Sequence, residues 1–526
     1  MVIVNELIRQ GMSFRTRSNK MLYSDLSRQN KQLKKLINSA KKTKFGEFYK
    51  FDEILNNCDK EANQSPRWYQ EFRSRVPIFD YDKIFDDWWY KSIEGETDVC
   101  WPGEVKYFAL SSGTSGTSSK RIPLTGSMLK SLKKTSIDQL SSLINYDSIP
   151  FTTYSKSWLM LGGSTKLHKI GNYFEGDLSG IAAKKIPFWF QNLYKPGKRI
   201  SEITDWDKKI EEITKNAHKW DIGILVGVPS WIQILLEKII HYYKLNSIHE
   251  IWPNLSAYIH SGVCIEPYRK NLERLFGKPV TTIETYLASE GFIAYQSHPK
   301  ENLKLVTDRG IFFEFIPFNP NNFNKNGDLK LDPVTMMIDE IEEGVEYALL
   351  LSTCAGVWRY LIGDTIRIIN KEKSEIVVTG RTKHFLSLCG EHLSMENMEK
   401  AIELIAEEFK IEIPEFTVTG ISSGTLFAHQ WFLGSNYSLD EKIVSERLDE
   451  ILCELNDDYK VERQLALKEI KVKFCSPNLF YSWMKIHGKY GGQGKFPRVL
   501  NSEKYSKWLD HLTRSEPTTN TNGPLS

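Results

Sequence analysis

The chain has 526 residues, 69 of them basic and 66 acidic, for a formal net charge of +3. That balance speaks against nucleic acid or a membrane surface as a partner of the whole chain. Hydrophobic residues make up 41% and aromatics 12%. Such a composition supplies large cores and is wrong for a disordered protein, and the length calls for two or more domains.

No apolar run approaches the ~20 residues of a membrane span. The start MVIVNELIRQGMSFRTR lacks the basic, apolar and small-residue order of a secretory signal. The seven cysteines are scattered and include no C-x-x-C pair. Neither a disulfide framework nor a zinc site is expected, and a reduced cytoplasmic protein is the simplest reading.

In chain order, residues 26–50 carry a helix with Leu33, Ile37 and Ala40 as its apolar stripe. The stretch FDYDKIFDDWWYKS (79–92) reads as aromatic packing surface. From about residue 100, the strand-like runs VKYFALS, SWLMLGG, IGILVGV, LSAYIHSG and TTIETYLA alternate with helical stretches. One of these, SWIQILLEKIIHYYKL, repeats Ile232, Leu235, Leu236, Ile239 and Ile240 at helical spacing. This alternation predicts a layered α/β domain. Residues 311–378 are strand-rich and predict a β-rich lobe. After Gly380-Arg381, the order is a helix (SMENMEKAIELIAEEFK), two strands, a second helix and a strand, a separate and smaller α+β domain. The expected organisation is a large domain over 1–380, a C-terminal domain over 381–512 and a disordered tail over 513–526.

Four short stretches are candidates for chemistry, although each alone reads as well as a Gly/Ser linker, a surface acid (Glu290), a turn former (Asp364) or a domain-boundary ion pair (Arg381). SSGTSGTSSK (111–120) lies between two apolar strand-like runs and leads into Lys120-Arg121, two cations placed where a polyanion would need them. Its glycines free successive backbone N–H groups to point at phosphate oxygens, with hydroxyls between them. It is not a Walker loop: Lys120 is followed by Arg121, and Pro123 keeps the continuation extended. TYLASEGF (285–292) sets Ser289 and Glu290 at a strand end, where a carboxylate suits Mg²⁺ bound to nucleotide phosphates. VWRYLIGDTIRI (357–368) sets Asp364 in a Gly-Asp turn between strands, an acceptor for two ribose hydroxyls. GRTKHFLSLCGEHL (380–393) begins with Arg381 at the change of pattern, the place for a hinge.

In this order the four resemble the adenylate-forming superfamily. SSGTS with a lysine five residues on, YLASEG and WRYLIGD resemble the three nucleotide motifs of the auxin-responsive-promoter family, the acyl acid–amido synthetases. GKYGGQGKFPRVL (488–500), TKFG (43–46) and VPIFDYD (76–82) are similar to other segments of that family, so the resemblance spans nearly the whole chain. It departs in three places. Plant members set a glycine one position after Gly116, often have Tyr where Trp358 stands, and commonly have Arg where Leu361 stands. The last two leave the acid and amine specificities open.

The resemblance implies a large N-terminal adenylate-forming domain and a smaller mobile C-terminal domain. It implies activation of a carboxylic acid by ATP as an acyl-adenylate, then transfer to the amine of an amino acid. Ser111, Ser112, Gly113, Thr114, Ser115 and Lys120 would grip the phosphates, and Tyr286 would lie beside the adenine. Ser289 would contact the α-phosphate, with Gly291 next in the motif, and Glu290 would hold Mg²⁺. Asp364 would take the ribose hydroxyls with Arg381 nearby, and Lys495 would approach the α-phosphate. An acyl-CoA ligase shares the first half-reaction and remains an alternative. GISSG (420–424) matches the G-x-S-x-G elbow of serine hydrolases, but the apolar run TLFAHQWFLG follows where a helix is required.

Overall fold

The computed structural model describes residues 24–58, 66–111, 120–184, 186, 190–262, 265–324, 327–382, 386, 393, 395–423, 426–437, 439–456, 459–460, 463, 467–488 and 496–515. It divides into two compact units, one formed by residues 1–324 and 328–382, the other by 383–526 with 325–327.

The first unit is built on a sheet of eleven strands. Parallel strands Tyr194–Lys195, Ser157–Met160, Ile222–Gly227, Ala257–Ser261 and Thr281–Ala288 form one half. From there the sheet continues antiparallel through Gly291–Gln296, Leu303–Leu305, Glu375–Arg381, Val357–Asn370, Glu346–Thr353 and Ile311–Pro317. The strand-rich stretch from 311 to 381 thus supplies four of the six antiparallel strands of the same sheet. Helices Pro229–Tyr243 and Glu266–Phe276 follow parallel strands, as crossover connections require. A second sheet of four strands holds the antiparallel pair Tyr107–Ser111 and Lys120–Leu124 in register from Tyr107↔Leu124 to Ser111↔Lys120.

The helix Asp25–Ala40 is started by Ser24, whose hydroxyl accepts the Ser27 N–H. It buries Leu33, Leu36, Ile37 and Ala40 in the main core. Its buried Gln29 donates to the carbonyls of Thr307 and Ile311 and accepts the Phe313 N–H at 2.7 Å. That side chain occupies the free backbone groups of the outermost strand, Ile311–Pro317, and so blunts a sheet edge.

In the second unit, strands Glu415–Ser423, Leu426–Gly434 and Leu467–Cys475 make a three-stranded sheet. Successive side chains point to opposite faces. Trp431 packs with Met398, Ile402, Leu448 and Ile451 of helices Met395–Phe409 and Glu441–Leu455. Phe432 packs with Phe480, Trp483 and Trp508 of helices Pro477–Ile486 and Ser502–Ser515. The last helix runs three residues into the expected tail, and residues 516–526 lie outside the described residues. Ser422 is in a strand paired with Phe427 of the next strand. The strand-turn-helix setting of a nucleophile elbow is therefore missing at GISSG.

Candidate functional site

The motif YLASEG is a strand end and a turn. Thr281–Ala288 and Gly291–Gln296 pair antiparallel, and Ser289 and Glu290 form the turn between them, both buried. Gly291 leaves room there: at φ +157°, a Cβ would lie 2.8 Å from Ile311 Cδ1 and 3.4 Å from Met128 Cε, the ends of two side chains that would have to shift. Two residues before the strand ends, Tyr286 donates its phenol hydrogen to Asp364 Oδ2 at 2.5 Å. Burial first, and then the Asp364 carboxylate, hold the Tyr286 hydroxyl well above its usual range, so it stays a donor.

Asp364 does not stand in a turn between two strands, as the Gly-Asp pair suggested. It belongs to one strand of fourteen residues, Val357–Asn370. Register against the neighbouring strand jumps from Leu350↔Leu361 to Ala348↔Thr365. Ile362, Gly363 and Asp364 therefore bulge opposite Leu349. Gly363, at φ +86°, takes the left-handed conformation that the bulge needs, so the chain kinks without leaving the sheet. On the other side Asp364 is in register with Arg381, the last residue of Glu375–Arg381. Arg381 Nε donates to Asp364 Oδ1 at 2.8 Å and Arg381 Nη2 to the Ile362 carbonyl at 3.0 Å. The Asp364 carboxylate is the main cause of the upward shift of Arg381.

Lys120 opens the strand Lys120–Leu124. Its ammonium lies 5.3 Å from the centre of the Tyr81 ring. Burial and the Arg381 charge lower the Lys120 pKa, against the opposing pull of Glu290, Asp82 and Asp80. Glu290 is pushed up to about 7 by burial and by Asp364, with Arg381 and Lys120 pulling it back. Lys120, Tyr286, Glu290, Asp364 and Arg381 thus gather closely enough to act on one another's ionisation. Ser111 ends the strand opposite Lys120. Ser112, Gly113, Thr114 and Ser115, and Lys495 in the second unit, lie outside the described residues.

Three neighbours differ from what the motifs suggested. Arg121, expected beside Lys120 as a second phosphate cation, is held by Glu175 at 2.8 Å, because alternation along the strand turns it away. Tyr81, read as packing surface, accepts the Arg121 backbone N–H at 2.9 Å and underlies Lys120. Tyr360 is buried and feels Glu290 and Arg381. Nothing local marks Tyr81 or Tyr360, apart from the DYD and WRY segments that contain them.

The sequence matches the GH3 family N-terminal domain over residues 24–195, the GH3 central domain over 304–379 and the GH3 C-terminal domain over 396–504. The chain belongs to the GH3 family. Among curated relatives, it is 29% identical over 181 residues to jasmonoyl-L-amino acid synthetase JAR4 of Nicotiana attenuata, covering 32% of this chain and 30% of that protein. It is 26% identical over 234 residues to indole-3-acetic acid-amido synthetase GH3.2 of Arabidopsis thaliana, covering 41% and 42%. The aligned stretches thus span less than half of either relative. The fold matches the GH3.15 acyl acid amido synthetase structure with a TM-score of 0.74 at 17% identity, over 95% of this chain and 96% of that one. It also matches 2-hydroxyisobutyryl-CoA ligase in the postadenylation state, with a TM-score of 0.59 at 12% identity, over 92% and 91%. These likenesses establish the fold, a layered α/β architecture shared with both of those structures. No helix among the described residues is long and apolar enough to cross a membrane.

Proposed function

We propose that this GH3 chain is an ATP-dependent acyl acid–amido synthetase. A substrate carboxylate attacks the α-phosphate of ATP, the bond to the β-phosphate breaks, and pyrophosphate leaves. The amine of an amino acid then attacks the acyl carbon of the adenylate, gives up a proton, and AMP departs. The observation that carries the reading is the gathering of Lys120, Tyr286, Glu290, Asp364 and Arg381 from four strands and one turn, in a chain of this family.

In this reading Asp364, held by Tyr286 and Arg381, accepts the ribose hydroxyls on its remaining lone pairs, and the Tyr286 ring flanks the adenine. Lys120, with Ser111, Ser112, Gly113, Thr114 and Ser115, grips the phosphates. Ser289 donates to the α-phosphate beside Gly291, where no side chain intrudes. Lys495 approaches the α-phosphate in the adenylation step. Stabilising charge on the α-phosphate and aligning the two reactants is the protein's whole task.

The residues fit Mg²⁺. No cluster of three or more His, Cys, Asp or Glu suited to a metal occurs among the described residues. Mg²⁺ bound with nucleotide needs only one or two carboxylates and keeps the phosphates as further ligands. Glu290, buried and without a salt bridge among the described residues, is such a carboxylate, and a dication beside it offsets the desolvation that raises it. When bound, the ion would neutralise the phosphates. A cytoplasmic setting goes with ATP as substrate and with Cys100, Cys354 and Cys453 as thiols outside any disulfide.

The test is release of pyrophosphate and AMP from Mg·ATP with a panel of carboxylic acids, each alone, with amino acids, and with coenzyme A. Acid-dependent pyrophosphate release, with AMP release accelerated by amino acids and an amide found by mass, is expected. Acceleration by coenzyme A alone would make the protein an acyl-CoA ligase. Release of neither product under every condition, together with no binding of ATP, or with ATP binding that Lys120→Ala leaves unchanged, would refute the synthetase reading.

A further inference from the structure

Residues 79–81 are bonded to two of the strands that carry the nucleotide cluster. Phe79 pairs in parallel with Tyr360: its N–H donates to the Arg359 carbonyl at 2.9 Å, and its carbonyl accepts the Leu361 N–H at 2.8 Å. The Phe79 ring is 0% exposed in the main core. Backbone bonds and a buried ring thus fasten the segment to the strand Val357–Asn370, just ahead of Asp364.

Tyr81 reaches the strand of Lys120. Asp80 starts the short helix Tyr81–Ile84 by accepting the Lys83 N–H at 2.9 Å, which sets the path of the chain at Tyr81. The Tyr81 hydroxyl accepts the Arg121 N–H at 2.9 Å. Lys120–Leu124 is the outer strand of its sheet, and among the described residues it pairs with Tyr107–Ser111 alone. The Arg121 N–H points to the unpaired side, and Pro123, which shares that side, has no N–H to offer. Tyr81 therefore takes the place of a strand neighbour at the residue after Lys120.

The ring of Tyr81 makes a separate contact. Its centre lies 5.3 Å from the Lys120 ammonium, a cation–π distance. Phe85 stacks on the same ring at 5.5 Å and Trp89 meets it edge-on at 6.1 Å, so the ring is itself held. Among the described residues no salt bridge holds Lys120. The cation is steadied by a ring and keeps its N–H donors for a ligand.

We propose that Tyr81 is the positioning residue of the phosphate grip: it fixes the backbone beside Lys120 and holds the Lys120 ammonium, while Phe79 ties both to the strand of Asp364. The inference rests on the synthetase reading, in which Lys120 takes phosphates and Asp364 takes the ribose. In a bound nucleotide these two ends stand at one separation, so the protein groups that meet them must keep a matching spacing. Residues 79–81 bridge the two strands and supply it.

The test compares Mg·ATP with adenosine, which has the ribose and the base but no phosphate. On full-length protein, Mg·ATP is titrated calorimetrically and adenosine by ligand-observed NMR. Tyr81→Leu is expected to weaken Mg·ATP about tenfold or more and adenosine less than about twofold. Tyr81→Phe keeps the ring and loses the acceptor, so its Mg·ATP affinity is expected within about threefold of the parent. With Lys120→Ala already present, Tyr81→Leu is expected to weaken Mg·ATP by no more than about threefold, because the ammonium it holds is gone. Tyr81→Met, closer in volume, serves in each comparison if Tyr81→Leu does not fold. A merely structural tyrosine would weaken both ligands alike and add in full to Lys120→Ala, and either result overturns the inference. A parent that binds no Mg·ATP, or binds it as well with Lys120→Ala alone, overturns the synthetase reading and the inference with it. Loss of affinity in Lys120→Ala, with the Tyr81 variants binding Mg·ATP like the parent, overturns the inference alone.

Discussion

Arg359, inside the WRYLIGD motif, is predicted to hold the fold and to leave the nucleotide alone. Its guanidinium faces Glu314, which is 0% exposed, with Nε 3.1 Å from both carboxylate oxygens and Nη2 3.0 Å from one. Nη1 donates to the carbonyls of Arg73 at 2.9 Å and Val76 at 2.8 Å, and Nη2 to Thr335 Oγ1 at 3.2 Å. Arg359→Met strands a buried carboxylate whose one further close donor is the Tyr69 hydroxyl at 2.9 Å. Breaking a buried pair by removing one partner costs about 3–5 kcal/mol. The backbone at 359 has φ +38°, and methionine inherits that strain unchanged, so it drops out of the difference. Urea unfolding followed by circular dichroism should show that loss in the transition of the first unit. Adding Glu314→Gln should restore part of it, because the stranded group is then neutral. ATP affinity, measured on folded Arg359→Met protein, should stay within about twofold of the parent. A loss below about 1 kcal/mol, strict additivity with Glu314→Gln, or a tenfold drop in ATP affinity would each refute this account.

Three further outcomes follow from the same geometry. Asp364→Asn should weaken ATP about tenfold or more in a direct titration, and Tyr286→Phe by less, since the ring remains and Arg381 still orients the acid; equal affinities in all three proteins would remove Asp364 from the ribose. Gly291→Ala should lose about 1–3 kcal/mol in thermal or urea unfolding, because its methyl meets Ile311 Cδ1 at 2.8 Å. His260, 4% exposed with no partner for Nδ1, is lowered to about 4 by burial and by Arg269, with Glu266 opposing. The unfolded chain therefore takes up the proton first, and stability present above pH 6.5 is lost as pH falls toward 4, by roughly 3 kcal/mol in all. His260→Asn should flatten that part of a pH series of urea midpoints, and an unchanged slope would show that the acid sensitivity arises elsewhere.

What was legible in the sequence and what was not separates along a physical line. The turn Ser289-Glu290, the strand ahead of it and the helices with apolar stripes are local, and local pattern fixed them. Tyr81, Tyr360 and the partner of Arg121 were hidden because each acts through residues brought near by the sheet: Glu175 is 54 positions from Arg121. Gly363-Asp364 was misread as a turn for the same reason, since only the neighbouring strand's register shows that pairing continues past the kink. The described charged members of the cluster share one trait. Lys120 stands at the end of a strand pair, Glu290 in a turn, Asp364 in a bulge and Arg381 at a strand terminus. Ile283, Ile293 and Ile366, inside strands of this sheet, face a packed layer at 0% exposure. The cluster's charged groups stand instead where pairing ends or shifts, and the breaks at 290 and 364 are marked by Gly291 and Gly363. Glycine beside an acid was therefore the readable part of the site, whereas the tyrosines that complete it carry no such mark.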